Sequence, residues 1–178
     1  MRYLIALLLL SSLSTTVSAQ ALTGDDIKKT LIGEWTRAKQ YTDEYLSAMP
    51  ADKYSFKAVD SIRSFAQQMV HLASANYFLM SLAEGKQPPA FLAGAEDRPS
   101  ALASDSVKTL VDASYDYAIG LLQASDPSTY GAMVVLQTRK VSKFTLFLKA
   151  FEHQTHHRGQ TTIYIRLLGI RPPAERLF

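Results

Sequence analysis

Three of the four histidines in this chain lie in one short stretch near the C-terminus, Phe151-Glu-His-Gln-Thr-His-His-Arg-Gly-Gln160. The spacing of apolar residues on both sides of this stretch predicts a helix. Because each residue of a helix turns by about 100°, side chains four positions apart lie side by side on one face. His153 and His157 are therefore expected to project together, and two imidazoles placed in this way can bind one metal ion.

The fourth histidine, His71, lies far upstream in another helical stretch, among small and polar neighbours. If the fold brings it opposite the pair, the chain has a three-histidine metal site with room for water or substrate. Pairs at this spacing also occur by chance, and a lone histidine in a helix is often a satisfied core residue. Hydrogen-bonded histidines that merely pack are therefore the alternative.

Three neighbours of the pair carry predictions of their own. His156 is turned by about 60° from His153 on a helical wheel, so it is expected to support the site or to pack, rather than to bind the metal directly. Arg158 points well away from the pair, and a helix-surface or inter-helix ion pair is expected for it. Gly159 inside a helix costs about 1 kcal/mol relative to alanine, which predicts the close approach of another helix or loop.

The residue after His153 excludes one class of metalloenzyme. Zinc proteases of the His-Glu-x-x-His type have a glutamate there as general base. This chain has Gln154 instead, which cannot accept a proton at neutral pH, and Glu152 precedes the histidine and faces another direction. A site of three neutral histidines would leave a divalent ion with its full charge and an open position. That arrangement suits Lewis-acid polarisation, or a lowered pKa of bound water or of a bound thiol.

Composition narrows the range of partners and cofactors. The 178 residues suffice for one domain with one substantial core. The formal charge of +3, from 19 basic and 16 acidic residues, is a weak bias without a clustered basic stripe, so no nucleic-acid partner is expected. The chain has no cysteine, which excludes disulfides, thiolate nucleophiles, Cys-ligated zinc and covalent haem attachment.

The N-terminal residues have the pattern of a secretory signal peptide. Arg2 supplies a short positive start, Tyr3 to Leu10 form an unbroken apolar run, and Val17-Ser18-Ala19 has the small residues of a cleavage site. The apolar run is shorter than the ~20 residues that a membrane span needs. We therefore expect residues 1–19 to be a cleaved signal peptide, no stable membrane insertion afterwards, and an exported chain that is periplasmic or secreted.

Apolar periodicity and helix-ending residues predict four long helices. They are expected at residues 25–48, 61–84, 101–123 and 142–168, with a loop at 85–100 and a short extended segment at 130–138. Helices of this length with short to moderate connections predict an all-α fold. We expect a four-helix bundle that forms one domain over residues 20–178.

These motifs resemble those of a known family. The run His153-x-x-x-His157-Arg158-Gly159-Gln160, followed by helix to Leu168-Gly169 and a proline, resembles the C-terminal signature of the DinB/YfiT-like family of metal-binding four-helix bundles. The stretches from Ile62 to Ala73 and from Trp35 to Pro50 resemble the family's second and first helices. The resemblance covers about residues 25–173. It implies that His71, His153 and His157 bind one divalent metal, with Zn²⁺ as the first candidate and Ni²⁺ as the other.

The resemblance leaves three functions open. The first is a metal-dependent hydrolase of a small-molecule substrate, in which Gln160 or Tyr164 orients the ligand and residues 85–100 and 130–138 form the rim. The second is a metal-dependent thiol S-transferase, although cytosolic thiol cofactors would be scarce in an exported compartment. The third is a non-catalytic bundle that binds metal for structure, storage or sensing. A homodimer is compatible with the wide apolar arcs on the second and fourth predicted helices.

Overall fold

Residues 21–178 are described by a computed structural model, and four long helices form their frame. The helices are α1 (Gly24–Ala48), α2 (Phe65–Ala83), the single-turn α3 (Pro99–Leu102), α4 (Ser104–Ala124) and α5 (Lys143–Leu167), with 3₁₀ turns at Ala51–Lys53, Ala90–Leu92, Ala95–Asp97 and Pro127–Thr129. This mostly helical architecture confirms the predicted all-α class. No helix among the described residues has the length and apolar character to cross a bilayer. The predicted signal peptide, residues 1–19, lies outside the described residues.

The four long helices enclose one core. Helices α1 and α2 each pack against both α4 and α5, so α1 and α2 lie across the core from each other. Every long helix contributes a fully buried aromatic side chain: Trp35 in α1, Phe65 in α2, Tyr115 in α4 and Phe147 in α5. Burial of such large side chains is a dominant favourable term in folding. Helices α2 and α5, which carry all four histidines, are direct neighbours.

Capping residues determine where the two histidine-bearing helices begin. The Ser64 hydroxyl accepts a hydrogen bond from the backbone of Gln67, so α2 begins at Phe65 and not at the predicted residue 61. The backbone N–H of Phe65 donates to the carbonyl of Phe56, which keeps the preceding residues in a turn. Helix α5 begins as predicted, because Ser142 caps it through the backbone N–H of Thr145.

Residues 133–142 form a β-hairpin, whereas the sequence predicted a single extended segment at residues 130–138. The predicted extended segment contains β1 (Met133–Leu136), and β2 (Arg139–Ser142) pairs with it in antiparallel register. Leu136 and Arg139 face each other across the two-residue turn, in which Gln137 has a left-handed φ of 55°. The hairpin leads directly into α5, and its residues Leu136, Arg139 and Val141 line one cleft together with His153.

Candidate metal centre

Helices α2 and α5 bring three histidines together at their interface. One ring nitrogen from each of His71, His153 and His157 lies within 4.8 Å of the other two. The ring centroids are 5.2 Å apart between His71 and His153, 4.6 Å apart between His71 and His157, and 4.4 Å apart between His153 and His157. The residues singled out from the sequence therefore form one cluster that could hold a metal ion. That they do bind one stays a prediction.

Two hydrogen bonds determine which ring nitrogen is free on two of the histidines. His71 Nδ1 lies 2.6 Å from Glu96 Oε1, and His157 Nδ1 lies 2.8 Å from Gln68 Oε1. Carboxylate and amide oxygens only accept, so Nδ1 of each ring is the donor in these two hydrogen bonds. Nε2 of each ring then keeps its lone pair for a metal. Partners of this kind are the usual means of orienting metal-binding histidines.

His153 adds the third nitrogen, from one turn before His157 on α5. Its Nε2 lies 3.2 Å from Nε2 of His157. Its Nδ1 is buried and has no hydrogen-bond partner among the described residues. Converging lone pairs repel one another unless a proton or a cation lies between them. Three neutral imidazoles are also a donor set that suits Zn²⁺ or Ni²⁺, so the residues present fit a divalent ion.

Burial keeps the two α5 histidines neutral. Loss of hydration, and then repulsion from the neighbouring histidines, lowers the pKa of His153 to about 4 and the pKa of His157 to about 3. A histidine must be neutral to bind a metal. Protons therefore compete weakly for these two side chains, even at mildly acidic pH.

The same shifts predict that acid destabilises the metal-free protein. In the unfolded chain histidine titrates near pH 6.5, so below that pH the unfolded state binds protons at positions 153 and 157 that the folded state excludes. The stability that these two neutral histidines contribute is therefore fully present above pH 6.5, and it is lost as the pH falls towards 4. Between pH 7 and pH 5, we expect the parent protein to lose roughly 1–3 kcal/mol more than the His153→Gln/His157→Gln variant. Urea unfolding with a chelator present measures this difference, and parallel losses in the two proteins would contradict the prediction.

Glu96 is a site residue that the sequence analysis did not single out. It lies in the 3₁₀ turn Ala95–Asp97 of the predicted loop, and its Oε2 accepts a hydrogen bond of 2.8 Å from Arg63 Nε. Burial alone would raise the pKa of Glu96, but hydrogen bonds from His71 and Arg63 hold this pKa below its usual value. The only signal in the sequence was the position of this carboxylate within a long loop. Its contact with His71 depends on how that loop packs on α2.

The hydrogen bonds of Tyr164 and Gln160 go to residues other than the three histidines. Tyr164 is buried, donates a hydrogen bond of 2.6 Å to the carbonyl of Arg63, and accepts a longer one of 3.4 Å from Gln68 Nε2. Tyr164 therefore positions Gln68 and, through Gln68, His157. That Tyr164 or Gln160 orients a ligand stays a prediction. Gln160 pairs with the exposed His156, with 3.0 Å between Gln160 Nε2 and His156 Nε2.

Two predictions for the neighbours of the histidine pair were wrong. Arg158 is only 5% exposed, and its Nη1 donates to Gln154 Oε1 at 2.7 Å and to Thr42 Oγ1 at 3.3 Å. Its guanidinium carbon lies 4.7 Å from the ring centroid of Tyr41, so its partners are an amide, a hydroxyl and an aromatic face. A Cβ atom added to Gly159 would meet nothing within 4 Å, and nothing in the structure explains this glycine.

Two clefts open beside the cluster. A cleft of about 480 Å³ with mainly apolar walls lies beside His153 and includes Leu136 of β1. A polar cleft of about 700 Å³ lies beside His157 and includes Glu96. His156 lines both clefts. Both volumes are typical of small-molecule sites, and each cleft has a wall from one of the two predicted rim segments.

Comparisons with known proteins agree with this architecture. The model of the DinB family matches residues 19–176. The chain is similar to the crystal structure of a DinB-like protein from Bacillus cereus ATCC 10987, with a TM-score of 0.70 and 16% identity over 83% of this chain and 97% of that chain. It is also similar to a DinB-like protein from Bacillus subtilis, with a TM-score of 0.63 and 20% identity over 84% and 96% of the two chains. A search of curated proteins found no match.

Proposed function

Because this chain belongs to the DinB family, we propose that it binds one divalent metal ion through His71, His153 and His157 and is a metal-dependent hydrolase of a small-molecule substrate. The observation that carries the proposal is the convergence of three imidazole nitrogens within 4.8 Å of one another. Zn²⁺ is the first candidate and Ni²⁺ the second, since imidazole ligands suit both ions.

The chemistry follows from the charge of the ligands. Three neutral imidazoles leave the full charge of the ion uncompensated and, in a tetrahedral site, one position open. When bound, such an ion supplies Lewis-acid chemistry that lowers the pKa of water, as hydrolases require. The chain's own residues keep the imidazoles oriented: Glu96 holds His71, and Gln68 holds His157. The substrate would bind in one of the two clefts that open beside the cluster.

Metal content tests the binding step of this proposal. Protein purified without chelator and without nickel resin is expected to contain about one equivalent of zinc or nickel by plasma mass spectrometry. Metal-depleted protein is expected to recover one equivalent after incubation with the ion and desalting. A protein that holds no metal after both procedures would overturn the proposal.

A substrate panel tests the reaction. Metal-loaded and chelated protein would be compared on esters, lactones and amides, with and without an added low-molecular-weight thiol. Turnover that requires metal and no thiol supports a hydrolase. Turnover that occurs only with the thiol and yields a thiol–substrate conjugate would show that the protein is an S-transferase and not a hydrolase. Metal binding without any turnover would favour a structural, storage or sensing role.

Replacement of Glu96 with alanine is expected to weaken metal binding by about 10- to 100-fold. The loss of this carboxylate would free the His71 ring to rotate and would no longer select its Nδ1–H form, and losses of this size are typical for such supporting groups. Competition titration with a chromophoric zinc chelator measures the change. Asp97→Ala is the matched control, because this neighbour carries the same charge and is exposed. Equal losses in the two variants would attribute the effect to net charge alone.

We further propose that the protein acts after export. The support is the sequence pattern of Arg2, the apolar run Tyr3 to Leu10 and the small residues up to Ala19. Expression of the full chain in a Gram-negative host followed by N-terminal sequencing is expected to give a periplasmic protein that starts at Gln20. Recovery of the chain from the cytoplasm with Met1 in place would contradict this prediction.

A further inference from the structure

We propose that the apolar cleft beside His153 binds the hydrocarbon part of a substrate that carries one carboxylate, and that Arg139 binds this carboxylate. The inference rests on the proposed function, since it places the reacting group of the substrate at the three-histidine cluster. It adds a class of ligand and a residue that selects it.

The walls of the cleft select an apolar group. Leu79 of α2, Leu136 of β1, Val141 of β2 and Leu146 of α5 line it, so four elements contribute aliphatic side chains. The volume of about 480 Å³ lies within the range of small-molecule sites. Aliphatic walls of this kind favour a hydrocarbon chain or ring, because such a group gains free energy by leaving water.

The charges at the cleft select an anion. Lys149 and Glu152 form an ion pair with each other, so their charges offset. Arg139 also lines the cleft, and within residues 21–178 it makes no ion pair and no side-chain hydrogen bond. One positive charge is therefore uncompensated, and a guanidinium binds a carboxylate through two parallel hydrogen bonds. Arg139 is exposed and pairs with Leu136 across the two-residue turn of the hairpin, so the two side chains lie on the same face of the hairpin.

His153 connects the cleft to the cluster. This histidine lines the cleft, and its Nε2 is the atom that lies 3.2 Å from His157 Nε2. A ligand whose carboxylate binds Arg139 and whose hydrocarbon part fills this cleft therefore also lies beside His153, one of the proposed metal ligands. The polar cleft has no comparable signature, because its walls are mainly polar and its basic residues, Lys57 and Arg63, lie among three acidic ones, Asp60, Glu96 and Asp97.

Binding of octanoate, 1-octanol and octylamine tests the inference. Isothermal titration calorimetry would be run on zinc-loaded and on metal-free protein, so that carboxylate binding to zinc itself is separated from binding to the cleft. In both forms octanoate is expected to bind about tenfold or more tightly than the alcohol, and the amine least tightly. Arg139→Gln is expected to remove this preference and to leave 1-octanol binding unchanged. Leu136→Glu is expected to weaken octanoate binding by a similar factor.

Arg171→Gln is the matched control, because Arg171 is exposed and lies outside the cleft. Equal octanoate affinity in the parent and Arg139→Gln proteins, or equal losses in Arg139→Gln and Arg171→Gln, would overturn the inference. Metal content measured on the same samples separates the two failures. A protein with one equivalent of metal and no Arg139-dependent octanoate binding overturns this inference alone. A protein that takes up no metal overturns the proposed function, while the metal-free titrations still decide whether Arg139 binds carboxylates.

Discussion

Replacement of His157 with alanine is expected to reduce the affinity for the metal by at least about 100-fold and to leave the purified protein nearly free of metal. His157 is 6% exposed, and Gln68 holds its ring so that Nε2 faces the other two histidines. Its removal takes away one of three ligands and the one that lies closest to both others. His71 and His153 alone would form a two-ligand site, which binds zinc weakly.

The neighbouring His156 provides the control for this experiment. His156→Ala removes an imidazole from the same helix, but that imidazole is exposed and does not belong to the three-nitrogen cluster. Plasma mass spectrometry and a zinc competition titration would be run on both variants and on the parent. Circular dichroism melting of the chelated proteins separates loss of metal from loss of fold. Full metal content in a folded His157→Ala protein would contradict the site, as would equal losses in both variants.

Replacement of Arg158 with alanine is expected to lower the free energy of unfolding by roughly 2–4 kcal/mol. The guanidinium is buried between α5 and α1, where it donates to Gln154 and Thr42 and lies over the ring of Tyr41. Its removal leaves a cavity and takes a charged donor from the oxygen of Gln154, which is completely buried. A lysine at this position would not restore the contacts, because an ammonium lacks the planar fork of the guanidinium.

Urea unfolding of the chelated proteins measures this loss, and Arg166→Ala is the control. Arg166 lies on the same helix but is exposed, so its truncation is expected to change stability by about 0.5 kcal/mol or less. Metal content of Arg158→Ala at low temperature is expected to match the parent, because Arg158 donates its hydrogen bonds to Gln154 and Thr42 and to none of the three histidines. Stability equal to that of Arg166→Ala would show that the buried network contributes nothing measurable.

These two predictions concern two different polar faces of α5. One face presents His153 and His157 to α2, and the other presents Gln154 and Arg158 to α1 and α4. Tyr115 of α4 closes the second network by donating a hydrogen bond of 2.7 Å to Gln154 Oε1. Gln154 therefore has a structural role where zinc proteases have their general base, which agrees with the exclusion of that class from the sequence.

Local features of this protein could be predicted from the sequence because they depend on local geometry. His153 and His157 lie side by side because they are four positions apart on one helix, and this does not depend on the rest of the fold. The start of α5 follows from the serine cap at Ser142. Proline and glycine residues also indicated where the long helices end, to within a few residues of the observed ends. The mostly helical fold and the family followed from these patterns.

Contacts between distant parts of the chain were decided only by the tertiary structure. The packing of α2 on α5 brings His71 to the pair, and the packing of the 85–100 loop on α2 brings Glu96 to His71. Residue spacing carries no information on either contact, since the partners are separated by an intervening element or a loop. The same reason explains why a helix-surface or inter-helix ion pair was expected for Arg158. A helical wheel gives the direction of a side chain on its own helix, but only the neighbouring helices decide whether that direction faces water or the core.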